Sequence, residues 1–437
     1  MSSIAGSSGL TVPQGAALSV GAVLGTGVIT LPALAADIAG PASLVAWAVL
    51  VVLSVPLAST FAALGARYPD AGGVSTYARR AFGDRAAGVV GWCFYFAIPV
   101  GAPPASMMAG GYVADLLGGG RGTTLTVAAL LITTTALVNA AGLRLSGRVQ
   151  LGLASVLALL MAATIVVALP HATTASLTPF APHGWAAVGT AAAVLVWAFA
   201  GWEAVASLAG DYQRPARDVP RAAAIAVLVV GVLYLGLAAT SVLVLGEATG
   251  TSQAPLSDLL ALGVGDGARV VTAAAAVLLT LGAMNAYFAG GSRLGAALAR
   301  DGALPIGLAA GSGRDGKGSV PGRSLGLLTG LSFGALLVAG VLDLELGPLM
   351  LLATGCFTLV YVLGTAAAVR LLPRYSLAWW MAVVALVSVV GLLAVTGAHV
   401  LWAVGLAAAS LTYQAIGSRN PQVGSAPPLA PCEEVGA

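Results

Sequence analysis

The chain has 437 residues, of which 59% are hydrophobic and only 8% are charged. Soluble globular domains carry about 25% charged residues, so this composition excludes an ordinary soluble domain and places the chain among membrane proteins. The net charge of +3 arises from sparse, scattered side chains and gives no indication of a nucleic-acid partner.

Hydropathy and turn signals predict an all-α integral membrane protein with twelve transmembrane helices, each near the length that crosses a bilayer. The first Lys or Arg is Arg67, so the first apolar run lacks the basic start of a signal peptide and is predicted to be a retained span. Residues 417–437 are rich in Pro, Gly and Ser, which predicts a disordered tail. The predicted spans are 13–38, 43–66, 86–117, 123–141, 149–169, 185–209, 221–246, 268–299, 324–342, 347–370, 376–396 and 399–416.

The first span contains Gly25-Thr26-Gly27 in the middle of its apolar run. Glycine costs about 1 kcal/mol relative to alanine inside a helix and lets another group approach the backbone closely. One interpretation is a broken helix whose amides bind a polar group, since irregular backbone at membrane depth must be buried in protein or line a cavity. The alternative is a packing notch between helices, which small residues also favour.

The sixth span contains Glu203, the only carboxylate well inside an apolar run, two residues after Gly201. A helix break near 198–201 would put Glu203 in the first turn of a second half-helix. There the helix dipole favours the charged form and burial favours the neutral one. Ionisable groups at membrane depth are functional candidates, so Glu203 is predicted to take up and release a proton as part of the function. The alternative is a structural glutamate that holds the bundle together.

The interrupted spans are numbers one and six, which are matching positions if spans 1–5 and 6–10 form a 5+5 inverted repeat. Paired interruptions of this kind indicate the binding site of a transporter. The amides after Gly25-Thr26-Gly27 would hold a substrate carboxylate, and the open carbonyls of Phe199, Ala200 and Gly201 would accept from its ammonium. This arrangement favours an amino acid as the substrate.

The sequence is predicted to form one transporter domain over 1–416. This domain contains repeats at 13–169 and 185–370 and two additional C-terminal helices at 376–416.

The basic residues divide unequally between the two sides of the membrane. Loops on the N-terminal side would hold seventeen of the Lys and Arg residues, and the opposite side would hold only Arg121 and Arg269. Basic residues favour cytoplasmic loops. Both termini are therefore predicted to be cytoplasmic.

The order and spacing of several motifs resemble the amino acid/polyamine/organocation superfamily, over nearly the full length except the tail. Within it, the chain looks closest to the bacterial L-methionine and branched-chain amino acid exporters, which implies a multi-pass protein of the bacterial inner membrane. The motifs are Gly25-Thr26-Gly27, Leu31-Pro32-Ala33-Leu34-Ala35, Tyr68-Pro69-Asp70-Ala71-Gly72-Gly73, Ile98-Pro99-Val100-Gly101-Ala102-Pro103, Gly201-Trp202-Glu203, Pro215-Ala216-Arg217-Asp218-Val219-Pro220-Arg221, Ser292-Arg293 and Ala299-Arg300-Asp301-Gly302.

The resemblance also implies roles for single residues. The segment from Trp197 to Glu203 is similar to the Trp-x-Phe-x-Gly-x-Glu segment of the arginine/agmatine antiporter, which implies that Trp197 gates the substrate and Glu203 senses protons. Tyr287 falls where that antiporter has a second gating aromatic. Packing or interfacial anchoring is the alternative for both aromatic residues. Asn285 lies on a small, weakly polar face of span 8 and is expected to hydrogen-bond across to span 1.

The expected function is a secondary transporter of neutral apolar amino acids, working as an exporter driven by proton antiport. An uptake permease or an exchanger of the same fold is the alternative, and a channel is the non-carrier alternative. Span 5 lacks the lysine that a proton-coupled importer of the superfamily uses, which leaves that mechanism in doubt. The three cysteines and three histidines form no cluster in the sequence, so no metal site is expected. The sequence has no phosphate-binding loop motif. No cofactor is expected, and the protein is not expected to be an enzyme. The oligomeric state is left open.

Overall fold

The computed structural model describes residues 10–69, 72–142, 147–310 and 321–417. Within these ranges the chain forms helices joined by turns, and its β-type pairing is limited to a bridge between Leu10 and Tyr212. Asp70 and Ala71 of the loop motif and the tail predicted after Gly417 lie outside the described residues. The α-helices in the described ranges are α1 (Val12–Val23), α2 (Leu31–Ala39), α3 (Ser43–Arg67), α4 (Gly73–Phe82), α5 (Asp84–Leu117), α6 (Arg121–Ala140), α7 (Gly147–Ala168), α8 (Ala186–Phe199), α9 (Ala204–Ser207), α10 (Pro215–Leu245), α11 (Ala248–Thr251), α12 (Pro255–Val264), α13 (Gly267–Arg300), α14 (Gly322–Val341), α15 (Leu346–Leu371), α16 (Leu377–Val395) and α17 (Val400–Gly417).

The expected all-α membrane architecture is confirmed. Eleven helical segments in the described ranges are long and apolar enough to cross a membrane. One of them, Leu31–Arg67, joins α2 to α3 through a 3-10 turn, and α1 has only 12 residues. The predicted first span is therefore divided near its glycine motif, and the total of twelve spans stays a prediction.

Two parts of the chain differ from the sequence prediction. The segment Pro215–Arg221 was expected in a loop but forms the start of α10, because proline fits the first turn of a helix and Asp218 complements the dipole there. The helices α4 and α12 were not predicted. Each has only 10 residues, too few to cross a bilayer. The helix α12 is apolar, whereas α4 also carries two arginines in its last turn.

The long helices pack into two groups that meet at the interrupted segments. In one group, α10 packs against α1 and α3, and α8 packs against α2 and α3. In the other, α5, α6, α13 and α14 pack against one another. The 3-10 turn Thr26–Ile29, between α1 and α2, contacts α5 and α13 of the second group. The first interruption therefore lies where the two groups face each other.

Candidate functional site

The first interruption lies at the predicted glycine motif. The helix α1 ends at Val23, Gly25 is extended with φ −82° and ψ 171°, and a 3-10 turn runs over Thr26–Ile29 before α2 begins. The first amides of a helix have no intrahelical acceptor, so the break leaves N–H groups around Thr26 and Gly27 available to a ligand. The predicted break at this motif is confirmed, and binding of a polar group by its amides stays a prediction.

The second interruption lies in the sixth predicted span, as expected. The helix α8 ends at Phe199, Ala200 is extended with ψ 134°, and Gly201 has φ +126°, a conformation that side chains with a Cβ rarely adopt. The following helix α9 is only four residues long, and Glu203 stands at its N-terminal cap rather than inside its first turn. The long second half-helix expected here is thus replaced by α9 and a 3-10 turn at Ala209–Asp211. A single helical turn supplies less dipole than the prediction assumed.

The two interruptions meet backbone to backbone. A Cβ built on Gly201 would lie 2.5 Å from the carbonyl oxygen of Ala22 and 3.1 Å from the Cα of Val23. Only a glycine allows this approach, because the position has no room for a Cβ atom and its φ is positive. Gly201 is therefore the point where the two broken helices cross.

A tyrosine hydroxyl from α10 joins the same two breaks. The Tyr234 Oη lies 2.8 Å from the carbonyl oxygen of Val23 and 3.0 Å from that of Ala198. Tyr234 is fully buried, and its ring packs against Trp47 and Phe199 at centroid distances of 5.5 and 5.3 Å. The single hydroxyl hydrogen is shared between two carbonyl oxygens that, because of the breaks, lack the usual hydrogen bond from an amide four residues later.

Glu203 closes the second break instead of pointing into open space. Its Oε2 accepts hydrogen bonds from the Gly201 amide at 3.0 Å and from the Tyr361 hydroxyl at 2.5 Å. Tyr361 lies on α15 and is buried, and its oxygen is also 3.1 Å from the Gly201 nitrogen. The glutamate therefore ties the break between α8 and α9 to α15.

The predicted aromatic residues occupy different places. Trp197 lies directly on the first break: a Cβ at Gly27 would stand 2.6 Å from its Nε1, and one at Gly101 would stand 3.1 Å from its Cη2. Gly25 is far less crowded, since its nearest neighbour would be a backbone oxygen at 3.8 Å. Tyr287 lies on α13 and is 44% exposed. Contacts therefore place Trp197 at the first break, and a gating role of Tyr287 stays a prediction.

The side chain of Phe199 packs against the rings of Tyr234 and Trp47, at centroid distances of 5.3 and 6.1 Å. A cavity that Phe199 also lines holds only about 30 Å³, room for about one water molecule and not for an amino acid side chain. The Tyr361 oxygen lies 3.4 Å from the carbonyl oxygen of Phe199, but its single hydrogen is donated to Glu203. The Phe199 carbonyl oxygen therefore stays available to another donor.

The expected contact of Asn285 is wrong. Its Oδ1 accepts a 2.8 Å hydrogen bond from the Asn139 Nδ2, so the side chain faces α6 and not the first span. Both side chains are buried. A buried amide needs a partner, and Asn139 was not considered because a lone asparagine in span 4 carries no local signal. Tyr234 and Tyr361 were missed for the same reason.

Two crossing helix interruptions inside an α-helical bundle are the arrangement that secondary transporters use to hold a substrate. The comparison with protein families agrees with this class. The family model described as amino acid permease matches residues 10–418, and the chain belongs to this family of multi-pass membrane transporters. The resemblance found in the sequence is confirmed.

Individual relatives cover nearly the whole chain. It is 33% identical over 408 residues to YecA of Bacillus subtilis (strain 168), named an uncharacterized amino acid permease, with 92% of this chain and 95% of the relative aligned. It is 35% identical over 401 residues to the L-methionine/branched-chain amino acid exporter YjeH of Escherichia coli (strain K12), with 90% and 93% aligned. The branched-chain amino acid permease BcaP of Bacillus subtilis (strain 168) is 26% identical over 308 residues, 66% of each chain.

Proposed function

We propose that this amino acid permease is a secondary active transporter that exports neutral apolar amino acids by proton antiport and alternating access. The observation that carries the proposal is the crossing of the two broken helices, where Gly201 meets Ala22. The Tyr234 hydroxyl joins the same helices through the carbonyl oxygens of Val23 and Ala198. A crossing of two interrupted helices presents amides and carbonyls within one small volume. An α-amino acid requires both.

The first break supplies the carboxylate subsite of this proposal. Amides at Thr26 and Gly27 begin a short helical turn, where the partial positive charge of unsatisfied N–H groups favours an anion. The carbonyls of Phe199, Ala200 and Gly201 form the ammonium subsite at the second break. The Tyr361 hydroxyl donates its hydrogen to Glu203, so the Phe199 carbonyl oxygen is left for the ammonium of the substrate.

The side-chain subsite is assigned to the surroundings of Trp197. Its indole packs directly on Gly27 and Gly101, and Ala353 is beside Gly101, so the residues around this large ring are small and apolar. Glu203 is engaged by an amide and a hydroxyl, and no other carboxylate stands well inside an apolar span of the sequence. An apolar side chain of the methionine or branched-chain type fits these surroundings better than a charged one, because an unpaired buried charge is costly.

The direction of transport and its coupling to protons are inferred from the relatives and from Glu203. One relative is named an exporter of L-methionine and branched-chain amino acids and another a branched-chain amino acid permease, so export is the first hypothesis and uptake or exchange the second. Glu203 is the proposed proton carrier. The Tyr361 hydroxyl donates to the carboxylate and can accept from the protonated carboxyl, while the Gly201 amide donates in both states.

The arrangement in the membrane is also a proposal. With seventeen of nineteen Lys and Arg residues on one side, both termini lie in the cytoplasm of a bacterium, and the protein resides in its plasma membrane. The two breaks take matching places in repeats covering about 13–169 and 185–370. Reporter fusions at Gly120 and Gly142, on opposite ends of α6, test the orientation, and an active cytoplasmic reporter at Gly120 would contradict it.

Transport of radiolabelled amino acids in proteoliposomes tests the function. Accelerated uptake of labelled L-methionine when unlabelled L-methionine is inside identifies a carrier, and flux without such exchange would identify a channel. Loaded cells with and without the gene then test direction, since net uptake without efflux would replace the exporter by a permease. Trp197→Ala is the variant at the site. Its matched control is Trp380→Ala, because Trp380 lies on α16 and is 51% exposed.

A further inference from the structure

A groove on the side of the bundle lies far from the helix breaks in sequence and is not used by the proposed transport mechanism. It has a volume of about 420 Å³ and lies between α5, the turn after α13, α14 and α17. Its surface is almost entirely apolar. The residues that define it for this argument are Trp92, Phe96, Leu308, Arg323, Leu327 and Tyr413.

The aromatic wall of the groove is fixed by its own contacts. The Trp92 Nε1 donates a 2.6 Å hydrogen bond to the carbonyl oxygen of Ala303. The Trp92 ring packs against Phe96 and Tyr413 at centroid distances of 5.3 and 6.1 Å. The indole N–H is therefore satisfied, and the ring faces present apolar surface to the groove. Such a wall suits a hydrocarbon chain.

Arg323 is the single charged residue in the described lining of this groove. Its Nη1 lies 3.5 Å from the carbonyl oxygen of Gly307, at the far limit of a hydrogen bond. A guanidinium has five N–H donors in a fork that matches a phosphate, so one long contact leaves its capacity for a bidentate pair. The side chain is exposed at the groove. The local chemistry favours an anion attached to an apolar body.

The groove lies at one end of the bundle. It is formed where α5 and α14 begin and where α13 and α17 end, and alternating crossings put these four ends on the same side of the membrane. The distribution of Lys and Arg assigns that side to the cytoplasm. Trp and Tyr side chains favour the membrane–water interface, and the cytoplasmic leaflet carries anionic lipids.

We propose that this groove binds one anionic phospholipid, with its phosphate on Arg323 and one acyl chain along Trp92, Phe96 and Leu327. Lipid tails are as apolar as the groove, so tail contacts alone do not select a lipid. The selection comes from pairing Arg323 with the headgroup. One basic residue near a membrane surface favours an anionic over a zwitterionic headgroup about five-fold.

Native mass spectrometry of the full chain in detergent tests the proposal with equal amounts of phosphatidylglycerol and phosphatidylcholine of identical chains. We expect the complex with one phosphatidylglycerol to be about five times as abundant as the complex with one phosphatidylcholine. In Arg323→Gln we expect equal occupancy of both lipids, and in Arg323→Lys we expect the preference to be recovered. Arg374→Gln removes an exposed arginine at the same end, outside the groove, and is expected to keep the preference. An unchanged preference in Arg323→Gln, or an equal loss in Arg374→Gln, would overturn the site.

Two further arms separate the lipid from other occupants. Inorganic phosphate at the same concentration is expected not to displace the lipid, and full displacement would show that the acyl groove is not used. Leu308→Trp fills the groove while retaining Arg323, and we expect it to lower the occupancy of phosphatidylglycerol. Monodispersity by size-exclusion chromatography excludes unfolding as the cause. None of these readouts depends on transport.

Discussion

Replacing Gly201 by alanine perturbs the point where the two broken helices cross. Gly201 has φ +126°, and its added Cβ would lie 2.5 Å from the Ala22 carbonyl oxygen. Backbone conformations that only glycine adopts readily cost about 1–3 kcal/mol for other residues. The overlap with a backbone atom adds to this cost, because a main-chain carbonyl cannot rotate away as a side chain can.

The strain can be released by separating the two breaks, so the expected loss falls on the substrate site. Taking about 2 kcal/mol as the net penalty, and a factor of ten for each 1.4 kcal/mol, substrate affinity falls about 30-fold. The assays are equilibrium binding of labelled L-methionine to the purified protein and the initial rate of counterflow. A melting curve checks that the rest of the bundle stays folded.

Gly330→Ala is the matched control for this substitution. Gly330 lies inside α14, and a Cβ there would have no neighbour within 4 Å. Alanine in a helix interior is favoured over glycine by about 1 kcal/mol, so this variant is expected to bind and transport normally. Unchanged binding in Gly201→Ala would refute the reasoning, because it would mean that the crossing does not form the site.

The remaining predictions concern the same site. Gly27→Ala is expected to reduce counterflow strongly because its Cβ overlaps Trp197, whereas Gly25→Ala has room and keeps activity; equal effects of the two would contradict the geometry. Tyr234→Phe removes the hydroxyl donor from the Ala198 and Val23 carbonyl oxygens, of which the Val23 oxygen keeps the Gly25 amide at 2.6 Å. A loss of about 1–3 kcal/mol in stability is expected as a lower melting temperature, and an unchanged melting curve would show that the bridge is dispensable. Glu203→Gln retains an acceptor oxygen for the break but cannot titrate, so substrate binding is expected to persist while the pH dependence of transport is lost. A wild-type pH profile in that variant would remove Glu203 as the coupling group and leave its structural role.

The spans and both interruptions could be predicted from the sequence because their signals are local. Long apolar runs predict membrane helices, and Gly25, Gly27 and Gly201 weaken those helices where the structure breaks them. The carboxylate of Glu203 is conspicuous for the same reason, since a charged side chain inside an apolar run is costly. These features depend on a few neighbouring residues.

The contacts that complete the site could not be predicted in this way. Tyr234 and Tyr361 are joined to the breaks across large separations in sequence, and Asn139 finds Asn285 on another helix. A helix that is apolar on every side shows no period that tells which face is buried against protein. For this reason Asn285 was assigned to the wrong neighbour. The orientation of Phe199 is likewise set by tertiary packing.

The central claim is that the crossing of the two breaks holds the carboxylate and ammonium groups of an amino acid. Counterflow of labelled L-methionine into proteoliposomes tests it most directly when one set of vesicles contains L-methionine and the other contains L-methioninol, which lacks the carboxylate. The account predicts acceleration by internal L-methionine and none by L-methioninol, because the amides of the first break would have no anion to bind. Equal acceleration by both compounds would contradict it.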